Sequence, residues 1–179
     1  VTTQPVEYVN ALASPERLTE QGGQPGSEEL AAFLAALTDA VEAADPGPAA
    51  PGGWEQRERL RTATWVRQVY DHPFGAALFA PPAGALAREA QRVQAAELGF
   101  RTDVGRARAH SVRQSCGLRA VAAVAALWAV CADALARTPR PPRERLVEDA
   151  WSIVRGTIRP ALAPFPPGSG TDAFRARNW

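Results

Sequence analysis

What most constrains this 179-residue chain is where its helix breakers fall. Proline and glycine gather in "QGGQPG" (21–26), "ADPGPAAPGG" (44–53), "DHPFG" (71–75), Pro81-Pro82, "RTPRPP" (137–142) and the run from Pro160 to Pro167. Proline has no amide hydrogen to give a helix interior and glycine costs backbone entropy there, so each cluster is a boundary. Between the boundaries the apolar residues recur at helical spacing.

Ser27 is a natural N-cap, and Glu28 and Glu29 put negative charge in the first turn it opens. Leu30, Phe33, Leu34, Leu37 and Val41 then form one stripe. The next helix is expected over Trp54–Tyr70, where Leu60, Ala63, Val66 and Tyr70 share a face that Trp54, Trp65 and Val69 widen. Pro73 disfavours helix at His72. After a short turn at Phe74–Phe79, a helix over Ala83–Leu98 is expected to point Leu86, Ala90, Val93 and Leu98 inward and to stop at Gly99. Thr102 would cap a long helix from Asp103 to Ala136, since no proline follows until Pro139, and Arg143–Ile158 would be the last helix.

No strand pattern or repeat stands out. The expected class is all-α, a helical bundle with a long C-terminal helical hairpin. Residues 1–26 read as an irregular N-terminal segment with a short helical stretch at Val6–Ala13. Residues 27–160 read as the domain, and 161–179 as a Pro-rich tail.

Composition narrows the chemistry. Apolar residues at 46% against 22% charged describe a chain with a real core. All twenty basic residues are Arg, which excludes a Schiff-base or P-loop lysine within this chain. Residues 1–50 hold eight acids against Arg17 alone, a balance that repels a phosphate backbone. Cys116 and Cys131 on one helix would stand about 22 Å apart, far beyond disulfide reach. Reduced thiols, with no signal-peptide pattern at the start, point to the cytoplasm. The apolar run Ala120–Ala132 is shorter than the ~20 residues of a membrane span, so it reads as a core helix, with no membrane partner.

GxGxxG, P-loop, GxSxG, HExxH and CxxC patterns are all missing from the sequence. Asp103 and His110 would lie about 10 Å apart along a helix, too far for a catalytic triad with Ser111. Two His without Cys or acid partners nearby make no metal site. No catalytic residue, metal or cofactor is assigned.

Two groups remain as candidate ligand-binding residues. Trp65, Tyr70, Phe74 and Phe79 surround a helix break and either line a pocket or fill ordinary core. Arg106, His110 and Gln114 follow one another at helical spacing. They either meet the polar end of a ligand or form a solvated face. His72 is accounted for by a helix end and a turn, and "RTPRPPRER" (137–145) by a solvated connector.

Three passages together resemble a known family. They are "SEELAAFLAALTDAVEAADPGPAAPGGWEQRERLRTATWVRQVYDHPF", "AAELGFRTDVGRARAHSV" and "RERLVEDAWSIVRGTI" after a Pro-rich break. They look like the linker helix, the entry to a long helix and the final helix of the C-terminal ligand-binding and dimerisation domain of TetR-like transcriptional regulators. The resemblance implies a homodimer through 103–136 and 143–158. It also implies a hydrophobic small molecule held between Trp54–Tyr70, Ala83–Leu98 and the first half of the long helix. The family's DNA-reading head does not fit residues 1–26, so nucleic acid would be a partner only if a head lies upstream. The expected function is therefore a small-molecule-binding helical dimer resembling a regulator's sensory domain. Two alternatives stay open. One is an all-helical enzyme of specialised metabolism acting on a hydrophobic substrate, with His110 or His72 as acid/base. The other is an interaction module that binds a different chain.

Overall fold

The structure, a computed structural model, describes residues 25–106 and 114–162. Those residues form five α-helices, with no strand among them: α1 (Ser27–Ala43), α2 (Gly53–Asp71), α3 (Gly84–Arg106), α4 (Gln114–Ala136) and α5 (Arg143–Leu162). Two short 3-10 turns, Ala76–Phe79 and Pro81–Ala83, lead from α2 to α3. The all-α bundle expected from the breaker pattern is the fold. The N-terminal segment through residue 24 and the tail from 163 lie outside the described residues.

Most boundaries sit within a residue or two of the chemistry that sets them. The N-cap of α1 is Gly26 rather than Ser27; the Glu29 carboxylate reaches back to accept the Gly26 N–H at 2.8 Å. Gly52 and Gly53 take φ of 84° and 57°, left-handed values that let the chain reverse into α2. α5 runs two residues past Pro160.

The large departure lies between Gly99 and Gln114. Gly99 does not end a helix, because α3 continues through it to Arg106. Thr102 is not a cap; it is buried in mid-helix, its hydroxyl donating to the Leu98 carbonyl at 2.7 Å. Nor is 103–136 one straight helix. A Cβ placed on Gly99 would lie 3.6 Å from the Ala120 Cβ. Twenty-one residues of straight helix would separate those positions by about 31 Å. The chain therefore folds back, and α3 and α4 pack antiparallel through a seam of small residues. The C-terminal hairpin is α4 and α5.

α4 supplies the densest part of the core: Ala120, Ala123, Val124, Leu127, Trp128 and Cys131 are all buried. Gly117–Ala136 is long and apolar enough to cross a membrane by length and composition, yet this side of it is covered by α3 and α5. α2 contributes Val66 and Val69, each fully buried and each stabilising by roughly 1.5–3 kcal/mol. Tyr70 Oη donates to the Pro141 carbonyl at 2.8 Å and ties the end of α2 to the α4–α5 turn.

The helices form a ring. α1 packs on α2, α2 on α5, α5 on α4, and α4 on α3. The ring should close between α3 and α1, but that contact is the thinnest of the five. A cleft is left where the closure is incomplete.

Candidate functional site

The cleft between α1 and α3 encloses about 640 Å³, a volume within the range of small-molecule sites. Leu34, Thr38 and Val41 of α1 face Leu86, Ala90 and Val93 of α3 across it. Trp65 of α2 and Trp128 of α4 lie at its floor, their rings 5.4 Å apart and tilted by 44°. From Leu86 to Arg101 the α3 wall is fifteen residues long, about 22 Å. The site is therefore an elongated apolar trough on an aromatic base.

One end of the trough is ionic. Asp45, just beyond α1, accepts two bonds from Arg57, at 2.7 Å (Nε) and 2.6 Å (Nη2), and a third from Arg61. The Gly47 N–H adds another at 3.1 Å. The Arg57 hydrogen bonds, with help from the Gly47 amide and the charge of Arg61, hold the Asp45 carboxyl well below the usual carboxylate range. Arg61 also donates to Glu58, which takes Arg101 Nε at 2.8 Å and Nη2 at 3.3 Å. Arg101 in turn reaches Glu97 at 3.5 Å. The chain Arg57–Asp45–Arg61–Glu58–Arg101–Glu97 alternates in sign and joins α1, α2 and α3. Its middle member, Glu58, is 3% exposed, so a carboxylate is buried with a guanidinium on either side.

Outside the ionic end, Thr38 and Glu42 of α1 and Glu89 and Gln94 of α3 put polar groups on the otherwise apolar walls. Gln94 of α3 lines the cleft, and its side-chain oxygen accepts the Trp128 Nε1–H at 2.7 Å.

The aromatics singled out in the sequence part company. Trp65 lines the cleft, and Phe79 sits behind it, edge-on to Trp128 at 5.6 Å. Phe74 instead joins His72, 5.2 Å away, whose ring is stacked on Phe33 of α1 at 4.0 Å. Tyr70 serves the α4–α5 turn. Burial pushes the His72 imidazole below its ordinary value, and His72 Nδ1 accepts the Phe74 N–H at 3.1 Å. Arg106 closes α3 and Gln114 opens α4; their side chains, and His110 altogether, lie outside the described residues.

Sequence reasoning missed Trp128, Gln94 and the ionic end. Glu58 and Arg61 are visible as an i, i+3 pair, but such pairs are common on solvated helices. Nothing in the sequence brings Arg101 to them.

Comparison with protein-family models, with curated proteins and with solved structures finds no match. The functional reading rests on the geometry above.

Proposed function

We propose that this chain is a helical small-molecule-binding protein, akin to the sensory domain of a TetR-like regulator, whose ligand lies in the α1–α3 cleft. One observation carries this: the bundle leaves an apolar trough of about 640 Å³ over Trp65 and Trp128 where its last helix contact should be. The ligand is long and mostly apolar. Its orientation is set by Gln94, whose amide stands on the α3 wall of the trough. A neutral dye such as N-phenyl-1-naphthylamine tests the reading. It should bind the wild type with enhanced fluorescence and should lose that binding in Ala90→Trp, which fills the trough from α3. Wild type that binds no dye, or a folded Ala90→Trp that binds it equally, refutes the cleft as a ligand site.

We propose further that a second copy of the chain covers the other side of α3. Leu118 is 77% and Phe100 69% exposed, and Val104 and Val121 are exposed beside them. Large apolar side chains left exposed in this number on α3 and α4 mark an interaction surface. The same face carries a groove of about 750 Å³ floored by Ala95, Ala96, Gly99 and Gly117. Knob and hole on one surface is what a two-fold contact requires. Arg88 and Arg92 flank one end of the groove and Asp103 the other, so a reversed copy sets opposite charges together. The 103–136 part of the expected dimer surface is supported in this way. The 143–158 part is not, since the outward side of α5 carries Arg145, Glu148, Asp149 and Ser152. Sedimentation equilibrium should show a dimer that Leu118→Glu dissociates and Ser152→Arg leaves intact. A wild-type monomer at tens of micromolar, or flotation with lipid vesicles, overturns the assignment.

A further inference from the structure

We infer that Gln94 selects what the α1–α3 cleft accepts: the bound molecule carries a hydrogen-bond acceptor, a ketone or ester carbonyl, part-way along an apolar body. The inference rests on the cleft being a ligand site and adds the chemistry of its occupant.

Most hydrogen-bonding groups in the trough are already committed. The ionic end is closed on itself: Asp45 holds Arg57, Arg61 and the Gly47 amide, and Glu58 holds Arg61 and Arg101. A charged ligand head would have to break a buried pair to be recognised there, at a cost its own contacts must first offset. The Thr38 hydroxyl donates to the Leu34 carbonyl at 3.0 Å.

Gln94 differs. Indole Nε1–H is a donor only, so its partner must be the amide oxygen, and the amide's orientation follows from chemistry. With the oxygen held by Trp128, the –NH₂ has two hydrogens and no partner among the described residues. The side-chain polar atom that is fully buried without a partner among those residues is Trp54 Nε1, not the Gln94 nitrogen. The Gln94 nitrogen therefore opens on accessible space, on a residue that lines the trough. Gln94 lies about 12 Å along α3 from Leu86 and about 10 Å from Arg101, near the middle of the wall. The apolar lining, Leu34, Val41, Ala90 and Val93, offers a ligand no hydrogen bond, and the lining carboxylates Glu42, Glu89 and Glu97 can accept one but not donate to a carbonyl.

An oriented donor in the middle of an apolar trough discriminates asymmetrically. A carbonyl at that depth receives a hydrogen bond. A plain hydrocarbon strips water from the amide and returns nothing. Gln94 is thus the specificity-determining residue and Trp128 a positioning residue, acting through the amide it holds.

The test compares 6-undecanone, undecane and undecan-6-amine as competitors of N-phenyl-1-naphthylamine, counting only the dye signal that Ala90→Trp removes. For wild type, 6-undecanone should half-displace the dye at a concentration roughly 3- to 10-fold below undecane, the worth of one neutral hydrogen bond. Gln94→Glu keeps an oxygen for Trp128 and exchanges the donor for an acceptor. It should abolish the ketone's advantage and put the amine ahead. Gln94→Leu should bring the ketone-to-alkane ratio to about one, and it carries the test if Gln94→Glu does not fold. Trp128→Phe retains the ring and releases the amide, so the ratio should fall, which loss of packing alone would not produce. Equal displacement by ketone and alkane in wild type, or a preference that survives in both Gln94 variants, overturns the inference while leaving the cleft a ligand site. A wild type that binds no dye removes both.

Discussion

Glu58→Gln should destabilise this protein by about 3 kcal/mol, the lower end of the roughly 3–5 kcal/mol that follows loss of one partner from a buried ion pair. The lower end is expected for geometric reasons. Gln preserves the shape of the side chain, so no cavity opens. It removes the charge between two guanidiniums and turns one accepting oxygen into a donor facing them. Arg61 keeps Asp45 as a partner. Arg101 keeps Glu97 at 3.5 Å and is 23% exposed, so part of its charge returns to water. For a domain of this size the corresponding fall in Tm is roughly 6–12 °C. Urea unfolding followed by circular dichroism at 222 nm would give the free energy directly. Glu97→Gln is the control: its pair with Arg101 is wet, and its loss should cost less than about 1 kcal/mol. The Glu58→Gln deficit should also survive 0.5 M salt, which screens exposed pairs far more than buried ones. A Glu58→Gln protein as stable as Glu97→Gln would show that the carboxylate is solvated and that the ionic end of the cleft is not a fixed structure.

Other perturbations have signs that follow as directly. The folded state lowers the affinity of His72 for a proton below its ordinary 6.5, so the unfolded chain protonates first as pH falls. The stability it contributes is complete above about pH 6.5 and is lost as pH drops through the folded value. The urea midpoint should therefore fall between pH 7 and pH 5. The difference between wild type and His72→Phe, which keeps the stack on Phe33, should isolate this slope from any due to His110. Gly75→Ala should cost about 2–4 kcal/mol, because a Cβ there would lie 1.7 Å from the Val69 carbonyl oxygen. Gly156→Ala, with nothing within 4 Å of its Cβ, should instead stabilise α5 by about 0.5–1 kcal/mol; in thermal melts an unchanged or raised Tm for Gly75→Ala would refute the first expectation, and a lowered Tm for Gly156→Ala the second. Burial pushes the Cys131 thiol up to about 12. In a Cys116→Ser protein at pH 8, a chromogenic disulfide should therefore leave Cys131 unmodified until denaturant unfolds the chain.

The helices were legible because breakers and apolar spacing are local signals. Leu30, Phe33 and Leu37 are buried on α1 as their stripe required, and "ADPGPAAPGG" separates α1 from α2. Gly99 and Thr102 misled because a glycine inside a helix and one after it look alike in sequence. What decides is whether another helix needs the space. Here Ala120 and Gly117 approach Gly99, and the missing side chain serves the α3–α4 seam. Glu58 was illegible for a related reason. In "WEQRERLRTATW" it stands among charges that a solvated helix would carry equally well. Its burial depends on Arg101, forty-three residues away.

The cleft was hidden more deeply, because periodicity identifies residues that avoid water without saying what replaces it. Leu34 and Val41 belong to the same stripe as Leu30 and Leu37, yet they stay partly exposed along the trough, while Leu37 borders it and is buried. A void between helices is a property of how many contacts a ring of five completes. In this ring small side chains draw α3 onto α4 at Gly99, while Leu86 and Val93 face Leu34 and Val41 across a gap. Drawing α3 toward α1 would pull it from that seam and separate Trp128 from Gln94. The ion chain through Glu58 resists further opening at the other end. The width of the cleft is thus set between a packed seam and a buried network, and a ligand that fits it finds the space already made.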